Sequence, residues 1–280
     1  MITLQRVHSL SLGKIGGSFG FFLGVILGLI GILIGFVKLH PTGLLLLAIF
    51  ILGLTTGIVA GAIYGLVGGW LYNVSAGLVG GVKLGIVAPK KKGGMSLLDS
   101  IDPISFARIN AVSTTIIVII AVAIFLLVST ALGWKSLGAL GAIGIIVAGI
   151  VAGAVLGFVG GALNAYFYNF AARKMGAVQI QMLDNKGSFG KVLKSVEYMS
   201  YGKVKIVMIA IWSAINFAFR ILMFALFGSI LGRVGVGLGV GAGLLSIIFA
   251  VVFGFVISIL IAIVYNAAAS RFGGVQLQLK

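Results

Sequence analysis

The sequence predicts an all-α integral membrane fold: six transmembrane helices as three repeated helical hairpins, set around a pseudo-threefold axis, with small cytoplasmic β-strands flanking each hairpin. Three observations predict it. Hydrophobic residues make up 61% of the chain and charged residues 9%, with a mean hydropathy of +1.27, a composition that belongs in lipid. Six apolar stretches, at 15–37, 43–82, 109–133, 136–172, 206–232 and 234–270, each exceed the ~20 residues that cross a bilayer as helix, and only the fifth carries a charge, Arg220. Finally, the chain repeats itself about every 96 residues. Tyr72-Asn73 leads to Gly80-Gly81-Val82, Tyr168-Asn169 to Gly176-Ala177-Val178, and Tyr265-Asn266 to Gly273-Gly274-Val275. Such a period marks one structural unit used three times, with units at 1–88, 95–184 and 190–280.

Each unit opens on a short segment, at 2–11, 97–105 and 192–200. Apolar positions match across the three, as in Leu4/Val7/Leu10, Leu98/Ile101/Ile104 and Leu193/Val196/Met199. A second motif closes each segment: Ser11-Leu12-Gly13-Lys14, Ser105-Phe106-Ala107-Arg108 and Ser200-Tyr201-Gly202-Lys203. Two long apolar runs follow, too continuous for the alternating strands of a transmembrane barrel. The first run is too long for a signal peptide and its leading motif recurs within the chain, so it reads as retained structure. After the second run comes period-two alternation, as in Val178-Gln179-Ile180-Gln181-Met182, which marks a half-buried strand. A lone short strand is unstable, so the closing strands are expected to pair with the opening segments. Gly80, Gly176 and Gly273 suit the left-handed residue that ends a helix before a strand. The linkers, Ala88-Pro89-Lys90-Lys91-Lys92-Gly93-Gly94 and Asp184-Asn185-Lys186-Gly187-Ser188, are polar and glycine-bearing, which makes them unit boundaries.

The second helix of each unit carries small residues at every fourth position, ending on an Asn. They are Gly53, Gly57, Gly61, Gly65, Gly69 and Asn73; Gly149, Gly153, Gly157, Gly161, Ala165 and Asn169; and Ser246, Ala250, Gly254, Ser258, Ala262 and Asn266. In lipid, helices associate through close backbone approach along such faces. The stripes are therefore expected to pack against one another around the axis, or against their own hairpin partners.

Asn73, Asn169 and Asn266 are the leading site candidates. Two roles fit a polar triplet near the membrane boundary: a hydrogen-bonded lock that fixes helix register, or an axial ring that constricts a pore. Tyr72, Tyr168 and Tyr265 beside them suit the interfacial aromatic belt. Arg220, with Asn216 one turn earlier on the same face, breaks the threefold pattern, since Gly31 and Phe125 occupy the equivalent positions. An ionisable group within a span is a functional hypothesis by default, although a long stem also lets Arg220 snorkel outward.

The formal net charge is +16, and its location matters more than its size. Two crossings per unit place both termini and both linkers on one side. That side collects Arg6, Lys14, Lys83, Lys90 to Lys92, Arg108, Lys203, Lys205, Arg271 and Lys280, whereas the opposite loops hold only Lys38, Lys135 and Arg233. The asymmetry predicts a multi-pass protein of the cell membrane with cytoplasmic termini. Its basic face is suited to anionic lipid headgroups rather than nucleic acid. All four acids, Asp99, Asp102, Asp184 and Glu197, lie outside the spans, which disfavours proton- or sodium-coupled transport through a mid-membrane carboxylate. The two histidines, His8 and His40, sit at opposite ends of a span, and the chain lacks Cys. Thiol chemistry is thereby excluded, and no catalytic set, metal cluster or cofactor motif is expected. The glycine run at 235–243 follows no strand and is not a nucleotide fingerprint.

With Asp102-Pro103-Ile104-Ser105 as an opening turn, and Tyr265-Asn266 with Gly273-Gly274-Val275 as a close, each unit resembles a family of small two-helix prokaryotic, mainly archaeal, membrane proteins of unknown function. The family's closing strand carries Glu where this chain has Lys83, Gln179 and Gln276. The resemblance implies a helical hairpin per unit and no activity. The expectation is a non-enzymatic scaffold or accessory subunit that docks a protein partner through its cytoplasmic cap or outer helices. The alternative is a channel on the pseudo-axis with the Asn ring as constriction.

Overall fold

The computed structural model describes residues 1–39, 43–89, 94–132, 138–185, 187–231 and 234–280. The expectations placed on His40, Lys90 to Lys92, Lys135, Lys186 and Arg233 fall outside these residues. Each unit runs strand, helix, helix, strand. The first comprises β1 (Ile2–Val7), α1 (Ser9–Leu39), α2 (Gly43–Val79) and β2 (Val82–Val87). The second comprises β3 (Ser96–Ile101), α3 (Pro103–Ala131), α4 (Ala139–Met175) and β4 (Val178–Asp184). The third comprises β5 (Lys191–Val196), α5 (Tyr198–Leu231), α6 (Val234–Phe272) and β6 (Val275–Leu279). All six helices are long and apolar enough to cross a membrane.

The all-α fold class, with small strands flanking separate hairpins, is corrected by the sheet. The six strands form one closed antiparallel barrel in the order β1-β2-β3-β4-β5-β6. Within a unit the opening and closing strands pair regularly, as in Ile2↔Leu84 and Leu4↔Val82. Between units they pair as well: β2 with β3, β4 with β5, and β6 back to β1. The physical reason is edge closure. Three separate two-stranded ribbons would leave rows of unpaired backbone N–H and C=O groups, and a barrel abolishes them. Bulges fall between Leu4 and Arg6, Gly85 and Ile86, and Gln181 and Met182, all in the pairs that join successive units. A bulge bends its strand and raises the local twist, which a barrel this narrow requires. Thr3 and Lys280 exchange two backbone hydrogen bonds of 2.7 and 2.9 Å, closing the ring between the two ends of the chain.

Burial concentrates where helices meet barrel. Val7, Val82, Val178, Ile180 and Val275 are buried against Ala76, Tyr168, Ala171, Val204, Tyr265 and Ala269. Farther along the helices most large apolar side chains stay exposed, as lipid-facing surface does. Neighbouring hairpins touch in the cyclic order α2 with α3, α4 with α5, and α6 with α1, while the densest packing lies within each hairpin.

The glycine stripe faces its own hairpin partner. A Cβ added at Gly57, Gly61 or Gly65 would lie 2.3, 2.2 or 2.2 Å from the carbonyl oxygens of Gly20, Gly16 or Leu12. A second stripe on α1 opposes it: at Gly16 and Gly20 a Cβ would lie 2.2 and 2.0 Å from the oxygens of Gly61 and Gly57. In the second hairpin Gly153, Gly157 and Gly161 pack on Thr115, Asn110, Ala111 and Ala107; in the third, Gly254 meets the side chain of Ile209. Packing therefore loosens from backbone-on-backbone in the first hairpin to side-chain contact in the third.

Gly61→Leu is expected to prevent the first hairpin from closing, seen as loss of a monodisperse, cooperatively unfolding species in detergent. Gly68, on the same helix, has nothing within 4 Å of its Cβ position. Gly68→Ala is expected to leave stability unchanged or raise it by up to about 1 kcal/mol through helix propensity.

Candidate functional site

The three Asn side chains make the same contact three times. Val7 N–H donates to Asn73 Oδ1 and Asn73 Nδ2 donates to the Val7 carbonyl, each at 2.8 Å. Asn169 binds Ile101, and Asn266 binds Val196, through the same pairs at 2.8 Å. A carboxamide offers one acceptor and two donors in a plane, so it stands in for a neighbouring strand at the point where the opening strand leaves the sheet. Each Asn is thus committed to the strand end of its own unit, one helix away in the hairpin.

The tyrosines beside the Asn residues bond to the strands. Tyr72 and Tyr265 hydroxyls donate at 2.6 Å to the carbonyls of Leu4 and Leu193, and Tyr168 donates to that of Leu98. Tyr72 and Tyr265 also accept from Val82 and Val275 N–H at 3.3 and 3.4 Å. Tyr168 and Tyr265 are buried. The ring fills space beneath the barrel while the hydroxyl ties opening strand to closing strand.

Serines of the second motif join one unit to the next. Ser105 Oγ accepts from Lys83 N–H at 2.9 Å, Ser200 Oγ from Gln179 N–H at 2.9 Å, and Ser11 Oγ from Gln276 N–H at 3.1 Å. Each hydroxyl in turn donates to the carbonyl three residues earlier, at His8, Asp102 or Glu197. The N–H groups of those same three residues donate to the carbonyls of Gln276, Lys83 and Gln179 at 3.0, 2.9 and 2.9 Å. The pattern runs first to second, second to third and third to first.

Those residues also start the first helix of each unit. Asp102 accepts from Ser105 N–H at 2.8 Å with Pro103 in the first turn, an N-cap that satisfies an orphan donor. Glu197 accepts from Met199 and Ser200 N–H, and His8 Nδ1 from Ser11 N–H at 3.3 Å. Burial opposes the charge on Glu197, but the N–H groups of Ser200 and Met199, the Ser200 hydroxyl and Lys203 outweigh it and hold the carboxyl below its ordinary value. At the other end of each hairpin, Gly80, Gly176 and Gly273 have φ of +83°, +87° and +93°, a region that glycine adopts without the steric cost of a Cβ.

Asn216 is exposed and its Nδ2 donates to the Trp212 carbonyl at 2.8 Å. Arg220 is exposed within α5, eleven residues before its last residue, Leu231. Neither joins the Asn–Tyr–Ser constellation. One residue escaped sequence reasoning: Lys205, counted with the cytoplasmic charges, lies within α5 and lines a cavity with Asn164, Tyr168 and Tyr201. Its signal was the spacing of five residues from Ser200, where the other units have Gly16 and Asn110. Among the described residues, no three His, Asp or Glu gather as metal ligands.

Asn169→Ala should cost about 2–4 kcal/mol, because it strands both backbone groups of Ile101. Asn169→Asp should be no better, since a carboxylate has no donor for the Ile101 carbonyl; unfolding in detergent measures both. Because Glu197 has a lowered folded pKa, its cap stabilises above the ordinary carboxylate range and is lost as pH falls through the folded value. Glu197→Gln should therefore flatten the stability profile between about pH 5 and pH 3. No family model, curated protein or solved structure matches the chain.

Proposed function

We propose that the protein is a non-enzymatic scaffold or accessory subunit of the cell membrane, with both termini cytoplasmic, that docks a protein partner on the barrel. One observation carries this reading. The barrel end farthest from the helices exposes large apolar side chains: Met1, Ile2, Val87, Met95, Leu97 and Leu183 are each at least one-third accessible. They sit at strand starts, strand ends and a linker, beyond the helices that meet lipid. Apolar side chains gathered on an aqueous surface mark association sites. The closed barrel has no free strand edge, so a partner would engage these side chains rather than add a strand.

Orientation is supported by Arg6, Lys83, Lys191, Lys194 and Lys280, which lie in or beside the barrel strands. Basic residues next to spans favour the cytoplasmic side and its anionic headgroups. The channel alternative has less support. An eight-stranded barrel is just wide enough for side chains to fill it, and six strands enclose less. The Asn amides that would line a constriction are occupied by backbone.

Purification from native membranes in mild detergent should recover a stoichiometric partner, and Val87→Glu with Leu183→Glu should release it while the six helices stay folded. In liposomes the protein should pass no ions. Conductance altered by combined Asn73→Leu, Asn169→Leu and Asn266→Leu would contradict the proposal. A Lys280→Cys variant should react with an impermeant maleimide only from the cytoplasmic side.

A further inference from the structure

Lys205 lies seven residues into α5, within the candidate span Tyr198–Met223. It is half-buried, and its Nζ lies 5.7 Å from the centre of the Tyr201 ring. It lines a cavity of about 270 Å³ beneath the barrel together with Ile101, Phe106, Asn164, Tyr168 and Met208. The other hydrogen-bonding groups in the cavity wall are neutral, and among the described residues no carboxylate lies within salt-bridge distance of Lys205. Asn164 Oδ1 accepts from Trp212 Nε1 at 3.0 Å, Asn164 Nδ2 donates to the Gly160 carbonyl, and Tyr168 donates to Leu98.

The chain's own acids do not pair with Lys205, although the Asp99 carboxylate is near enough to act on the Tyr168 hydroxyl. Asp99 lies in β3, Asp102 and Glu197 cap helices, and Asp184 pairs with Lys191 in the one salt bridge among the described residues. A cation held in an apolar setting without a carboxylate is costly, and within a span it points to a ligand site. Next to it lies a second cavity of about 750 Å³, with Tyr201 in the wall of both. Its lining is almost wholly apolar and includes Phe19, Leu23, Leu27 and Ile261, and its volume falls in the range of small-molecule sites.

We propose that these cavities bind a membrane amphiphile, an acyl chain with an anionic head. The carboxylate or phosphate oxygen meets Lys205, and the chain lies in the larger cavity. The site stands apart from the barrel rim, so it does not depend on partner docking. A different groove, of about 610 Å³ on the outside of α1, α2 and α6, carries the exposed Lys14 and Arg271 and serves as the control for interfacial charge.

Trp212 supplies the probe, because its indole bonds to Asn164 in the cavity wall. In a Trp70→Phe/Trp134→Phe background reconstituted in neutral phosphatidylcholine, dibromostearate, dibrominated phosphatidylglycerol and dibrominated phosphatidylcholine are titrated against Trp212 fluorescence. Saturable quenching by an anionic amphiphile, absent with the neutral lipid, is expected. Quenching by stearate alone identifies a free fatty acid, and quenching by phosphatidylglycerol a phospholipid. Lys205→Met should weaken that quenching about tenfold or more, the scale of a lost charged hydrogen bond, and Lys205→Arg should keep it within about threefold. Lys14→Met with Arg271→Met should leave it unchanged. Equal quenching by all three lipids, no saturable quenching, or a Lys205→Met variant that elutes as the parent does and binds as well would overturn the proposal.

Discussion

Backbone hydrogen bonding where short strands meet long apolar helices governs this molecule. Six strands of five to seven residues are too short to persist as exposed edges, and the helices that follow them bury one end of the sheet. Closure into a barrel pairs the strands with one another. What closure leaves over, at the corners where strands become helices, is taken up by side chains. Asn serves the opening strand, Tyr bridges opening to closing strand, and Ser ties the closing strand to the next helix. Among the described residues no buried side-chain nitrogen or oxygen lacks a partner.

That arrangement separates two halves with different tolerances. At the barrel the three units are nearly interchangeable, because a carboxamide or a hydroxyl must meet a backbone group at a fixed distance. Within the spans they diverge. Gly16, Gly20, Gly57 and Gly61 bring backbones together in the first hairpin, while Ile209 fills the corresponding seam in the third. The lipid-facing region tolerates these differences because only the hairpin seam is closely packed. Lys205 and Arg220 both sit in this divergent half, each without an ionic equivalent in the other units.

Much of this was legible in the residues. The spacing of Asn73, Asn169 and Asn266, the glycines after them and the motif serines all marked positions that the structure uses. Barrel closure was not legible, because it depends on pairing between units, through Ser105 to Lys83 and Ser11 to Gln276, and no local pattern encodes a partner 265 residues away. The hydroxyl bonds of the tyrosines were not legible either, because their partners, the carbonyls of Leu4, Leu98 and Leu193, leave no side-chain trace. Gly16, Gly20, Gly24 and Gly28 on α1 were hidden in an apolar run, although they complete the seam that the α2 stripe announced. The charge-free apolar run begins at Ile206, which sets Lys205 among the cytoplasmic charges by sequence alone, whereas the helix starts at Tyr198.

Closure between the first and last strands is the claim on which the rest depends, and the absence of native Cys makes it directly measurable. Thr3 and Lys280 exchange both backbone hydrogen bonds, which sets antiparallel Cα atoms about 5.5 Å apart, within disulfide reach. A Thr3→Cys/Lys280→Cys variant, oxidised in the membrane and run on a denaturing gel, should form an intramolecular disulfide and migrate as a compact monomer that reduction relaxes. A cross-link formed only between chains, or none at all, would contradict a closed barrel within one molecule.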